Sequence, residues 1–138
     1  MGSSITDMLF GKKKVPAFSA GVYSIDTTIH PFRIAARKAD YAQLEAVVTN
    51  RFDKELLTSI VIGVPKALGF EQSALSHQRE IRAGFLGPGE SKAVRVQIWG
   101  TARTDPGTYE IKIFALSHYR DYSYVLNEVR KTVELRAA

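Results

Sequence analysis

Metal binding, acid–base work and nucleophilic attack each need particular residue types at particular spacings, and the histidines are the first place to look. His30, His77 and His118 are each more than forty residues from the next and fall in or near turns. There is no His-x-His pair, and His77 with Glu80 three residues on is a lone pair in a loop, short of a zinc ligand set. These are expected to be surface histidines. No Asp-x-Asp run offers a calcium loop, and cysteine is absent, which removes disulfides, thiolate nucleophiles and sulfur ligands together. No serine sits in a Gly-x-Ser-x-Gly elbow. His118, Asp121 and Ser123 hold the residue types of a triad, but three residues of one loop do not hold a triad's geometry. Gly84, Gly87 and Gly89 lead into a strand pattern rather than a helix whose N-terminus could cradle phosphate. The inventory predicts no catalytic residues, no metal and no cofactor.

The aromatic residues say more. If Val96 and Ile111 face a core, Trp99 and Phe114 point outward from their strands. Tyr119, Tyr122 and Tyr124 cluster around Arg120 in one polar loop. Outward rings and Tyr/Arg-rich loops are devices for binding a partner. These six residues are therefore the candidate partner-binding set. The competing expectation is that the N-terminal segment, with Phe10 and Phe18, folds over the outward face.

Charge narrows the partner only a little. Nineteen Lys and Arg against fourteen Asp and Glu give +5 and a pI near 9.6. Residues 1–14 hold three Lys and one Asp, so +2 of that charge lies in the tail. The other +3 is spread along 124 residues, as on a solvated surface. In the tail, Ile5, Met8 and Leu9 fall at i, i+3 and i+4, with Thr6 or Ser4 to cap and Gly11 to stop. That spacing predicts about one and a half turns of helix, followed by Lys12, Lys13, Lys14 and the breaker Pro16. Such a tail either frays or docks, on an anionic membrane surface or in a partner groove. No run of about 18 apolar residues predicts a spanning helix. With no charged-then-apolar leader pattern near Met1, a cytoplasmic location is expected, or an extracellular one for an excised domain.

The elements that must position these residues show a period of two. Val22–His30 reads as a first strand ended by Pro31, and Tyr41–Asn50 as a second with Leu44, Ala46 and Val48 on one face. Leu56–Val64 is dense in Leu, Ile and Val, so it is expected at the centre of a sheet and buried on both faces. A long loop follows, with a helical turn near Ser73–His77. Glu80–Leu86 puts Ile81, Ala83 and Phe85 on one face and Arg82 on the other. Lys92–Gly100 alternates Val94, Val96 and Ile98 inward, and Tyr109, Ile111, Ile113 and Ala115 continue the pattern. The last strand, Val125–Arg136, turns Val129, Val133 and Leu135 inward, with Lys131 breaking the row. Seven or so strands separated by Pro, Gly and Asn turns predict an all-β, immunoglobulin-like antiparallel sandwich over 21–138, with 1–20 as an extension.

Two stretches go beyond alternation: Phe85-Leu86-Gly87-Pro88-Gly89-Glu90-Ser91, and Asp105-Pro106-Gly107-Thr108-Tyr109-Glu110-Ile111-Lys112-Ile113. Ahead of them run Leu44 to Asn50, ending in Thr-Asn, and Leu57 to Pro65, ending in Val-Pro. Over Tyr41–Ser117 this order resembles bacterial and archaeal immunoglobulin-like modules, the CARDB (cell-adhesion-related) and the NEW3 or alpha-galactosidase-associated domains. The resemblance implies a non-catalytic module used for adhesion, spacing or assembly. Physics accounts for the motifs independently: Gly89 permits a turn conformation that a Cβ opposes, prolines pre-set φ, and Tyr109 packs its ring while its hydroxyl finds a partner.

Three functions stay open on sequence. The first is a protein-interaction module, expected to be a homodimer, acting through a sandwich face, the end loop or an unpaired edge strand, with the final strand as the edge. The second is a peripheral membrane or nucleic-acid binder using the basic tail. The third is carbohydrate binding through Trp99 and the tyrosines.

Overall fold

A computed structural model describes the backbone of Lys13–Lys14 and residues 21–138. Seven long strands form where the apolar pattern predicts them: β2 (Tyr23–His30), β4 (Asp40–Asn50), β5 (Leu56–Gly63), β7 (Gln78–Leu86), β8 (Ser91–Gly100), β9 (Gly107–His118) and β10 (Tyr124–Ala137). Three two-residue strands join them: β1 (Lys13–Lys14), β3 (Arg33–Ile34) and β6 (Leu68–Gly69). One sheet, A, runs β1-β10-β9-β5-β7, with β3 also on β10; the other, B, runs β2-β4-β8-β6. The long strands pair antiparallel, the short Pro/Gly turns at Gly87–Gly89 and Asp105–Gly107 carry the chain from one sheet to the other, and β1 and β3 lie parallel to β10.

The inner faces make the main core: Leu44, Val48 and Ile98 of sheet B against Ile60, Ile62, Ile111, Ile113 and Leu135 of sheet A. β5 is buried along nearly its whole length on both faces, as its unbroken apolar run predicts. Lys131 does occupy the inner row of β10, and its ammonium donates to the Ile25 carbonyl of sheet B at 3.2 Å, which keeps the charge hydrogen-bonded. Tyr109 packs against the core and donates its hydroxyl to the Asp105 carbonyl at 2.6 Å, the corner arrangement of immunoglobulin-like sandwiches. Gly89 takes φ +80° in the β7–β8 turn, where Asn50 binds it through its carbonyl.

Four expectations change. Residues 65–77 hold no helical turn; they form β6 and reverse through Ala74, at φ +53°. Phe85 does not share a face with Ile81, because Ala83 is bulged out between the pairs Thr58–Gly84 and Ser59–Arg82. Gly84, at φ +74°, carries the bulge, and the extra residue inverts the alternation beyond it. His118 is no surface histidine; it is 4% exposed. Finally, β10 is an open edge only between its ends, since β1 pairs with Tyr124–Val125 and β3 with Arg136–Ala137, while residues 126–135 have no strand partner on that side among the described residues. The helix expected at Ile5, Met8 and Leu9, the tail contact expected of Lys12 and the cover expected from Phe10 and Phe18 lie outside the described residues. The backbone of Lys13 and Lys14 forms β1. Among the described residues no helix is long and apolar enough to cross a membrane.

Candidate interaction surface

The six sequence-predicted partner residues do not form one surface. β8 carries Trp99 on the outer face of sheet B, and β9 carries Phe114 on the outer face of sheet A, so the two lie on opposite sides of the sandwich. Phe114 is also only 2% exposed. It packs with Val61, Leu116 and Val125 in a second apolar cluster on the outside of sheet A. Its outward register is as expected, but register does not report what covers a face. Phe114 is thus a packing residue rather than a contact offered to a partner.

Trp99 stands directly across from Tyr41. Their ring centroids are 4.7 Å apart at 32°, and the indole N–H donates to Gln97 Oε1 at 3.1 Å. Tyr41 stays 42% exposed, so the pair makes an open platform beside Gln43 and Gln97. In sequence Tyr41 is only the start of a strand; its place opposite Trp99 is a register fact.

The tyrosine loop keeps its three rings at one end of sheet A, but only Tyr119 meets Arg120. Residues 119–123 link β9 to β10, closed by Tyr119 N–H to the Tyr124 carbonyl at 3.1 Å and by Ser123 N–H to Asp121 Oδ1 at 2.7 Å. Arg120 takes φ +66°, and its guanidinium lies over the Tyr119 ring at 5.0 Å. Tyr122 turns back over the sheet. Its hydroxyl accepts the Gly84 N–H at 3.0 Å, Arg82 sits over its ring at 4.7 Å, and its edge meets His118 at 5.0 Å. The same bulge that carries Gly84 delivers Phe85 to this end of sheet A, 61% exposed, alongside Tyr119 at 49% and Tyr124 at 42%. Phe85 is the residue that alternation misses. Gly84 inside a strand pattern is the signal that could have found it.

Beneath this end lies a contact with the look of a nucleophile and its base. Ser59 Oγ and His118 Nε2 are 2.7 Å apart, and Nδ1 lies 3.2 Å from the Tyr124 carbonyl. A carbonyl only accepts, so Nδ1 carries the proton and Nε2 accepts from Ser59. Catalysis also requires access. Ser59 is fully buried and His118 nearly so, so the pair ties β5 to β9 instead of presenting an oxygen. Among the described residues no three His, Asp or Glu side chains gather as a metal site.

A second feature lies at the opposite end of the same outer face. There Gly63 to Pro65, His77, Gln78, Thr108 to Glu110, Lys112 and Phe114 line a half-open cavity of about 560 Å³.

Two packed sheets of antiparallel strands, closed by a tyrosine corner, define an immunoglobulin-like β-sandwich. The solved structures similar to it agree. A segment of Escherichia coli alpha-2-macroglobulin running from domain MG7 to the C-terminus matches with TM-score 0.55 and 15% identity, over 85% of this chain. The FixG-related protein of Vibrio parahaemolyticus matches with TM-score 0.53 and 5% identity over 86%, and 98% of that chain is covered. A CARDB domain from Pyrococcus furiosus, crystallised with di-metal ions, matches with TM-score 0.50 and 20% identity over 85%, and 90% of that chain is covered. This chain spans only 17% of the alpha-2-macroglobulin segment. No family model matches the sequence, and no curated relative does. At these identities the likeness is one of fold.

Proposed function

We propose that the chain is a non-catalytic interaction module that self-associates through the β9–β10 end of sheet A. The observation that carries this is the convergence there of Phe85, Tyr119 and Tyr124, all well exposed, with Arg82 and Arg120 stacked on neighbouring rings. Aromatic and arginine side chains contribute most of the energy where protein surfaces meet, and rings already held by neighbours lose little freedom on binding. The likeness to immunoglobulin-like domains, a CARDB domain among them, is consistent with a module of this kind. Light scattering behind size exclusion on the full chain tests it. A dimer is expected that does not dissociate at high salt and becomes monomeric in the triple variant Phe85→Ser, Tyr119→Ser, Tyr124→Ser. A wild-type monomer at all concentrations, or a dimer indifferent to the triple change, refutes it. A salt-labile complex with anionic vesicles or nucleic acid, lost when Lys12–Lys14 become alanine, would support the tail-based binder instead.

The Tyr41–Trp99 platform favours a second use. Two tilted rings beside Gln43 and Gln97 suit the apolar face of a sugar ring, with amides placed for its hydroxyls. Glycan-array binding that Trp99→Ala removes would support it; an array without signal would refute it.

A further inference from the structure

The cavity on the outer face of sheet A lies six strand residues from the aromatic end, from Leu57 to Gly63, or roughly 20 Å at about 3.3 Å per residue. Whatever occupies it is therefore independent of the self-association proposed above. Its volume, about 560 Å³, falls in the range of small-molecule sites, roughly 300–1,000 Å³. The Phe114 ring and Pro65 supply apolar wall.

Three features make it more than a gap. The first is Gly63, the last residue of β5. Its backbone is not in the left-handed region, and a Cβ built on it meets nothing within 4 Å. Neither conformation nor packing calls for glycine there. What the missing side chain does is leave the cavity open between Lys112 on one side and Gln78 on the other. The second is a pair of opposite charges. Glu110 and Lys112 lie two residues apart on one strand face, about 6.6 Å along the chain, and both border the cavity. Neither side chain makes a hydrogen bond or ion pair with another described residue. The third is His77, whose Nδ1 donates to the Leu68 carbonyl at 2.8 Å, which leaves Nε2 as an acceptor.

We propose that this cavity binds a free α-amino acid with an aromatic or branched aliphatic side chain. The carboxylate pairs with Lys112, the ammonium with Glu110, and the side chain lies against Phe114 in the space that Gly63 leaves open. A zwitterion answers both charges at once, whereas a simple anion meets the repulsion of Glu110 and a simple amine that of Lys112.

Isothermal titration calorimetry on the full chain tests this with phenylalanine, leucine, glycine, 3-phenylpropionate and phenethylamine as probes. Phenylalanine and leucine are expected to bind about tenfold or more tightly than the three fragments that lack side chain, ammonium or carboxylate. Lys112→Met should bring phenylalanine down to the level of phenethylamine, and Glu110→Gln down to that of 3-phenylpropionate. Gly63→Leu should abolish binding without lowering the urea midpoint, because the new side chain enters empty space and a strand gains from losing a glycine. No heat with phenylalanine or leucine at millimolar concentration overturns the proposal. So does binding that survives Gly63→Leu, or binding of 3-phenylpropionate or phenethylamine equal to that of phenylalanine. If Gly63→Leu lowers the midpoint, the two charge variants decide: unchanged phenylalanine affinity in both overturns the proposal, and the losses stated above support it.

Discussion

Truncating Phe114 and Trp99 separately measures the difference between an outward register and an exposed surface. Both side chains point away from the sandwich interior, yet Phe114 is 2% exposed in the cluster with Val61, Leu116 and Val125, whereas Trp99 rests on an exposed tyrosine. A buried phenylalanine removes roughly 150–250 Å² from water, worth about 4–6 kcal/mol at about 25 cal/mol per Å². Alanine keeps the backbone and Cβ share of that area, and the neighbours close only partly on the hole, so Phe114→Ala should cost about 3–5 kcal/mol. Trp99→Ala gives up the ring contact with Tyr41, about 0.5–1.5 kcal/mol, together with the part of the indole that is out of water, and so should cost less than Phe114→Ala. Urea unfolding followed by circular dichroism reads both. An unchanged slope with a much lower midpoint is expected for Phe114→Ala, and a smaller shift for Trp99→Ala. If Phe114→Ala costs less than about 1 kcal/mol, the cluster is not packed and the inference from burial fails. Equal costs at the two positions would likewise refute it.

Asn50 is buried, donates its amide to the carbonyls of Lys54 at 2.9 Å and Leu86 at 2.8 Å, and accepts the Phe52 N–H. Asn50→Asp points a carboxylate oxygen at two carbonyls, so a loss of about 2–4 kcal/mol at neutral pH is expected in urea unfolding. Tyr23 donates to Thr58 Oγ1 at 2.7 Å, since Thr58 donates its own proton to the Leu56 carbonyl. Burial pushes the Tyr23 hydroxyl above its ordinary value, and the Thr58 hydrogen bond offsets this only in part. A raised folded-state value means stability fully present below about pH 10 and lost as pH climbs beyond it. Tyr23→Phe should therefore cost about 1–2 kcal/mol at pH 7 and show a shallower alkaline loss than the parent. A parallel alkaline loss in both proteins would contradict the assignment. Removing Val129–Ala138 should unfold the chain rather than merely free an edge, because β10 pairs with β9 along its length and buries Leu135 and Ala137. A truncated chain with native circular dichroism would show otherwise.

Period-two alternation places six of the seven long strands, because an inward side chain every second residue is what burying one face of a sheet demands. β5 is placed instead by its unbroken apolar run, which suits a strand inside a sheet covered on both faces. The tyrosine corner is legible at Tyr109 because its partner lies only four residues upstream. Arg120 meets Tyr119, its chain neighbour, for the same local reason, whereas Tyr122 leaves the loop for Arg82 and Gly84 of β7. What depends on residues far apart in the chain is not legible. Phe85 faces outward only because Ala83 bulges against β5, and Tyr41 meets Trp99 only through the β4–β8 register. Ser59 reaches His118 across fifty-nine residues. The cavity at Gly63 needs β5, β7 and β9 side by side before it exists. Alternation states which way a side chain points, a property of one strand; whether it meets a partner, a cover or an empty space is a property of the strands around it.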